Sequence, residues 1–126
     1  MKHITTVALL IAAVIHLLPL AGVLDAAKLS SLYGIDIANP DLVILMRHRA
    51  VLFGLLGVYM LYAVFAPQHR AVALVAGLVS VVSFLALAYG AGSYNARIGR
   101  VVVADWIALA ALIAGAAAHA LGARAA

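Results

Sequence analysis

The sequence predicts an all-α membrane protein: an antiparallel four-helix transmembrane bundle with a short interfacial helix in the first loop. Three observations lead there. Of 126 residues, 68% are apolar and only 10% are charged, against about a quarter charged in soluble domains. Four stretches approach the roughly 20 apolar residues that cross a bilayer as a helix. The link between the second and third is Pro67-Gln68-His69-Arg70, so short that the two helices must be antiparallel neighbours. Eight Lys/Arg and four acidic residues cannot cover the surface of a small soluble chain.

The same arithmetic excludes several function classes. The length allows one domain, residues 1–126. Without cysteine there is no disulfide, iron–sulfur site or thiol catalysis. The net charge of +4 comes from scattered cations with no interleaved stacking aromatics, so nucleic acid is not an expected partner. The expected partner is the lipid bilayer.

The first span covers residues 4–24, 21 residues without a formal charge. Met1-Lys2-His3 resembles the start of a signal peptide, but the apolar run is too long for one, so the segment is expected to remain as a span. In the loop that follows, Leu29, Leu32 and Tyr33 share one face of a short helix, with Lys28 and Ser31 elsewhere. This fits a segment lying on the membrane surface or capping the bundle. The second span, residues 40–66, opens on Asn39 as N-cap, Pro40 at the first helical position and Asp41 against the helix dipole. The third covers 70–89. The fourth covers 101–121 and contains Asp105, after a loop carrying Tyr94, Asn95 and Arg97.

Four spans place both termini on one side. The loop side holds Lys28, Arg47, Arg49, Arg97 and Arg100, the terminal side Lys2, Arg70 and Arg124. Setting aside Arg47 and Arg49 as embedded evens the tally, and the Lys2 start then favours cytoplasmic termini.

Depth is the sharper signal. At about 1.5 Å per residue, His16, Arg47, His48, Ser83 and Asp105 all fall roughly 6–12 Å from the loop-side helix ends. Four helices thus bring a polar group to one layer of an otherwise apolar interior. Arg47 shares a face with Ala50, Gly54 and Gly57, a small-residue stripe that suits close helix packing. Arg47 is therefore expected to point inward and to approach Asp105 or share an ordered water or ligand with it, while Arg49, about 200° around the helix, reaches the headgroups. Ser80 and Ser83 are expected to bond back to their own helix.

Charges inside a span are costly and mark function by default. The expected ligand-binding set is Arg47, His48, Asp105, His16, Asn95, Arg97 and Tyr94, around an amphipathic small molecule such as a lipid, an isoprenoid or a quinone-like compound. If the protein is an enzyme, His16, His48 and Asp105 are the acid–base candidates for an isomerase or hydrolase reaction. A third possibility is a subunit or assembly factor of a membrane complex; self-association into a homo-oligomer is also open. Two histidines on adjacent helices are one way to hold haem, but nothing else in the chain points to it, and no cofactor is assigned. No zinc-ligand spacing is present.

The segments His16-Leu17-Leu18-Pro19-Leu20-Ala21-Gly22-Val23-Leu24, Leu32-Tyr33-Gly34, Met46-Arg47-His48-Arg49-Ala50-Val51-Leu52-Phe53-Gly54, Tyr94-Asn95-Ala96, Arg100-Val101-Val102 and Asp105 resemble a family of small four-helix bacterial membrane proteins. Members often carry the label phosphopantetheine adenylyltransferase. The soluble enzyme of that name is an α/β nucleotidyltransferase with a His-x-Gly-His phosphate motif, and this chain has neither. The resembled family has no settled activity, so the resemblance transfers no catalytic residues. It implies a multi-pass protein of the bacterial inner membrane. More loosely, the chain is similar to DoxX-like and sterol-isomerase-type bundles, which bind apolar ligands.

Overall fold

The computed structural model describes residues 1–125. Among them there is no β-strand. Five α-helices follow in order: α1 (Lys2–Leu17), α2 (Ala26–Tyr33), α3 (Pro40–Phe65), α4 (Arg70–Ala91) and α5 (Ala96–Arg124). Two 3₁₀ stretches, Leu18–Val23 and Pro67–His69, join or extend them. Four stretches are long and apolar enough to cross a membrane: Lys2–Val23, Pro40–Phe65, Pro67–Ala91 and Ala96–Arg124.

Local chemistry sets the boundaries. Pro19 lacks an N–H and its ring crowds the carbonyl four residues back, so α1 tightens into the 3₁₀ stretch Leu18–Val23. Asp25 caps α2 by accepting from the Ala27 N–H at 3.0 Å. Gly34 ends α2 with φ of 65°, and a Cβ there would also meet Arg97 Cγ at 2.9 Å. Both demands select glycine. Asn39 Oδ1 accepts from the Asp41 N–H at 2.8 Å, and Pro40 opens α3 as the sequence predicts. The fourth long helix differs. Its N-cap is Asn95, whose Oδ1 accepts from the Ile98 N–H at 2.9 Å. α5 therefore starts at Ala96, five residues before the apolar run. Arg97 and Arg100 belong to its first turns rather than to a loop.

α1 lies against α3 and α5, and α4 lies against the same two helices. α1 and α4 also touch across the middle, whereas α3 and α5 do not approach each other. The core between them is built from Leu9, Ala12, Ala13, Met60, Leu74, Val81, Ala108, Leu112 and neighbouring small residues. Gly57 sits where a Cβ would come within 3.1 Å of the Ala13 carbonyl oxygen, and Gly115 where one would stand 2.6 Å from the Ala8 Cβ. The small-residue stripes on α3 and α5 are thus close-approach seams. A second cluster, Leu29, Tyr33 and Ile37 with Leu42, Met46, Ile98 and Val101, anchors α2 at the loop end. The outer faces stay apolar: Phe65, Leu87 and Tyr89 are 74–90% exposed. At most a third of the apolar window of any spanning stretch is buried inside the molecule. Water would not tolerate such a surface, and lipid would.

Candidate functional site at the loop end

Because α3 and α5 stay apart, the loop end of the molecule is not filled by side chains. A cavity of about 600 Å³ opens there, within the range of small-molecule sites. Its walls come from every part of the fold: Ile15 and the turn Leu18–Gly22, α2 at Lys28, Ser31, Leu32 and Tyr33, α3 at Arg49 and Phe53, α4 at Phe84, and α5 from Arg97 to Asp105.

Its charge is one-sided. Lys28, Arg49, Arg97 and Arg100 face a single carboxylate, Asp105. Arg49 is the best-held cation. Its Nη1 donates to the Tyr33 hydroxyl at 2.6 Å, and its guanidinium lies 4.5 Å from the Phe53 ring centroid and 5.3 Å from that of Tyr33. Stacking between two aromatic faces fixes the plane of the fork, which a lysine would not do. Arg97 Nη1 donates to the Ser31 carbonyl at 2.6 Å. Asn95 Nδ2 donates to the carbonyls of Tyr33 at 2.9 Å and Gly34 at 3.2 Å. Asn95 and Arg97 together tie the C-terminal end of α2 to α5, closing the cavity on that side.

Asp105 is 6% exposed and lies on the inward face with Ala108, Leu112 and Gly115, all buried. Arg49 is the cation whose charge reaches it. The expected pairing of Arg47 with Asp105 is therefore corrected. Arg47 is exposed, and its Nε donates to the Val23 carbonyl at 2.7 Å, at the end of the 3₁₀ stretch. The reason lies in the stripe itself. Ala50, Gly54 and Gly57 mark where α3 meets the turn Leu18–Val23 and α1, so Arg47 on that face meets backbone, not open space. Arg49 and Phe53, one helical turn apart, share the face that looks into the cavity.

Of the sequence-derived candidates, the cavity gathers Asp105 and Arg97. His48 and Tyr94 are exposed and away from it, and Asn95 acts on the α2 backbone. His16 is buried behind the wall. Its ring stacks on Phe53 with centroids 5.5 Å apart. Nδ1 donates to the Ala12 carbonyl at 2.8 Å, which fixes the tautomer, so in the neutral ring Nε2 accepts from the Ser80 hydroxyl at 3.0 Å. Both ring nitrogens are occupied, and the pair ties α1 to α4. Ser83, not Ser80, is the serine that bonds back, donating to the Ser80 carbonyl at 2.9 Å. Among the described residues no group of three His, Asp or Glu side chains could hold a metal ion.

No family profile, characterised protein or solved structure matches this chain. The site alone therefore carries the functional reading.

Sequence reasoning missed Arg49, Lys28, Arg100 and the aromatic walls Phe53 and Phe84. One signal was available: Arg49 and Phe53 are spaced i,i+4, the spacing at which a cation stacks on a ring along a helix.

Proposed function

We propose that the protein crosses the bacterial inner membrane as an antiparallel four-helix bundle, with α2 at the interface, and binds an anionic amphiphile in the loop-end cavity. The carrying observation is the cavity's composition: four cations against one carboxylate, lined together with the apolar Ile15, Leu18, Pro19, Phe53 and Phe84. A phosphate or carboxylate headgroup suits the first, and a hydrocarbon tail the second. Leu18 and Ala21 also line an apolar groove with Val14, Leu17, Leu20 and Leu24 on the outer face. The cavity therefore adjoins the lipid-facing surface, which favours a ligand that enters sideways from the bilayer. The Lys2 start is the ground for placing the termini in the cytoplasm. A C-terminal reporter fusion that is active only outside the cytoplasm would reverse that orientation.

The test is mass spectrometry of an organic extract from purified protein, beside an Arg49→Ala/Arg97→Ala control shown to keep its helix content and thermal transition. One anionic amphiphile enriched over bulk lipid in the wild type and lost from the control is the expected result. Bulk phospholipid in equal amounts in both samples overturns the reading. The acid–base alternative is favoured by one observation, the Asp105 carboxylate on the cavity wall. It requires a chemically altered form of the ligand that disappears in Asp105→Asn.

A further inference from the structure

Asp105 sits oddly in a site for anions. Its side chain makes no hydrogen bond among the described residues: Arg49 reaches it through charge, while that guanidinium donates to Tyr33. No sealed-off side-chain oxygen or nitrogen lacks a partner there, so the free carboxylate oxygens are those turned to the cavity it lines. A carboxylate that is 6% exposed and unbonded is costly in a membrane. Beside Arg49, Arg97, Arg100 and Lys28 it also repels any bare anion that the four cations attract.

Both costs vanish if the ligand itself brings a donor. We infer that the cavity selects a two-part headgroup: a phosphodiester anion held by the cations, and an adjacent hydroxyl or ammonium donor held by Asp105. This rests on the anionic-amphiphile reading above. The cations supply affinity for the charge, and Asp105 supplies selectivity. It rewards a headgroup with a donor and penalises one without.

The experiment is a lipid titration of the purified full-length protein, read by native mass spectrometry. Two pairs of probes isolate the donor. Phosphatidylglycerol and phosphatidylmethanol carry the same single negative charge, and only the first keeps free hydroxyls. Phosphatidylethanolamine and phosphatidylcholine are both zwitterionic, and only the first keeps N–H groups. Wild-type protein is expected to prefer the donor-bearing member of at least one pair by about ten-fold, the scale of one hydrogen bond to a charged group. Preference within the first pair identifies a hydroxyl, and within the second an ammonium. In Asp105→Ala the preference disappears while phosphatidylmethanol binds as well as before or better, which also shows that the variant is folded. Asp105→Asn, which keeps one acceptor oxygen, retains part of the preference.

Equal affinity within both pairs, with anionic lipid still above phosphatidylcholine, overturns this inference and leaves the anionic-amphiphile reading standing. Parallel loss of phosphatidylglycerol and phosphatidylmethanol in Asp105→Ala and Asp105→Asn also overturns it, because a merely structural carboxylate acts that way. If wild-type protein holds neither anionic lipid above phosphatidylcholine, the broader reading fails and this one with it.

Discussion

The two ends of the molecule treat polar groups in opposite ways. At the terminal end they are consumed. Thr5 Oγ1 donates to the Gly115 carbonyl at 3.2 Å, closing α1 onto α5. Arg70 donates from Nε to Ala63 O at 3.3 Å, and from Nη2 to Val64 O at 2.8 Å and Thr6 Oγ1 at 3.2 Å. It thereby caps the last carbonyls of α3, which the turn at Pro67 leaves without helical donors. Tyr59 and His69 bond each other at 3.2 Å, with Tyr62 edge-on to the same imidazole. At the loop end Arg49 and Arg97 each give a donor to the protein and still line open space with Lys28 and Arg100, and Asp105 has no hydrogen-bond partner among the described residues. In a bilayer a satisfied polar group is architecture, because lipid offers it no alternative partner. A charged group that still faces open space is the one to suspect of function.

The largest effect that separates the ends is expected from Gly115→Val. A Cβ at Gly115 meets the Ala8 Cβ at 2.6 Å with the Thr5 backbone behind it, and neither can swing aside. Overpacking of this kind costs about 3 kcal/mol, read as a shift of the unfolding midpoint in a denaturing-detergent titration. Gly77→Ala is the control. Its new Cβ first meets the terminal methyl of Met60 at 2.6 Å, the free end of a flexible side chain, so its midpoint should move much less. Equal shifts for the two variants would show that the close approach of Gly115 to Ala8 is no harder to relieve than a contact with the flexible end of Met60.

Next in size is the contrast between two arginines two residues apart. Arg49→Ala removes a stacked guanidinium from the cavity wall and should weaken anionic-lipid binding at least ten-fold in the same lipid titration. Arg49→Lys keeps the charge without the fork and should fall between. Arg47→Ala removes a cation that bonds the Val23 carbonyl outside the cavity and should leave affinity within about two-fold. If Arg47→Ala were the more damaging variant, the headgroup would lie over the turn Leu18–Val23 instead.

The same two residues show how much the sequence discloses. Helix number and the opening of α3 follow from composition and from Asn39-Pro40-Asp41, because solvent and caps act locally. Of the polar layer read from the helical rise, only Asp105 lines the cavity; His16 lies behind its wall and Arg47, His48 and Ser83 are exposed, while Arg97, expected in a loop, lines it from the first turn of α5. The azimuth does not follow so simply. Small residues show where backbones meet, and Ala50, Gly54 and Gly57 are buried as that predicts. A cavity, however, forms where backbones stay apart, and its lining is large: Phe53, Phe84, Tyr33 and Arg49. Which pair of helices stays apart, here α3 and α5, depends on packing around the whole ring of helices and is written in no single helix.

His16 tests whether a buried titratable group in a membrane protein belongs to the site or to the scaffold. It sits at the depth of the cavity yet behind Phe53, with both ring nitrogens bonded. His16→Phe should lower stability by about 1–2 kcal/mol, since the Ser80 hydroxyl loses its partner in an apolar setting, while lipid affinity stays within about two-fold. Loss of lipid binding in a folded His16→Phe protein would return this histidine to the ligand set.

The smallest effects separate the two serines. Ser80 reaches across to α1, so Ser80→Ala breaks an interhelical bond, worth about 0.6 kcal/mol on average in membrane proteins. Ser83 donates only to the carbonyl three residues before it, at 2.9 Å and on an exposed surface. Its loss returns that carbonyl to its ordinary helical bond, and Ser83→Ala should not move the unfolding midpoint measurably. Depth read from sequence points to Ser83. The structure points to Ser80, because only Ser80 faces the short diagonal between α1 and α4, where a hydroxyl can reach an imidazole. A midpoint shift in Ser83→Ala that matched Ser80→Ala would remove the His16–Ser80 bond from its role as the tie between those two helices.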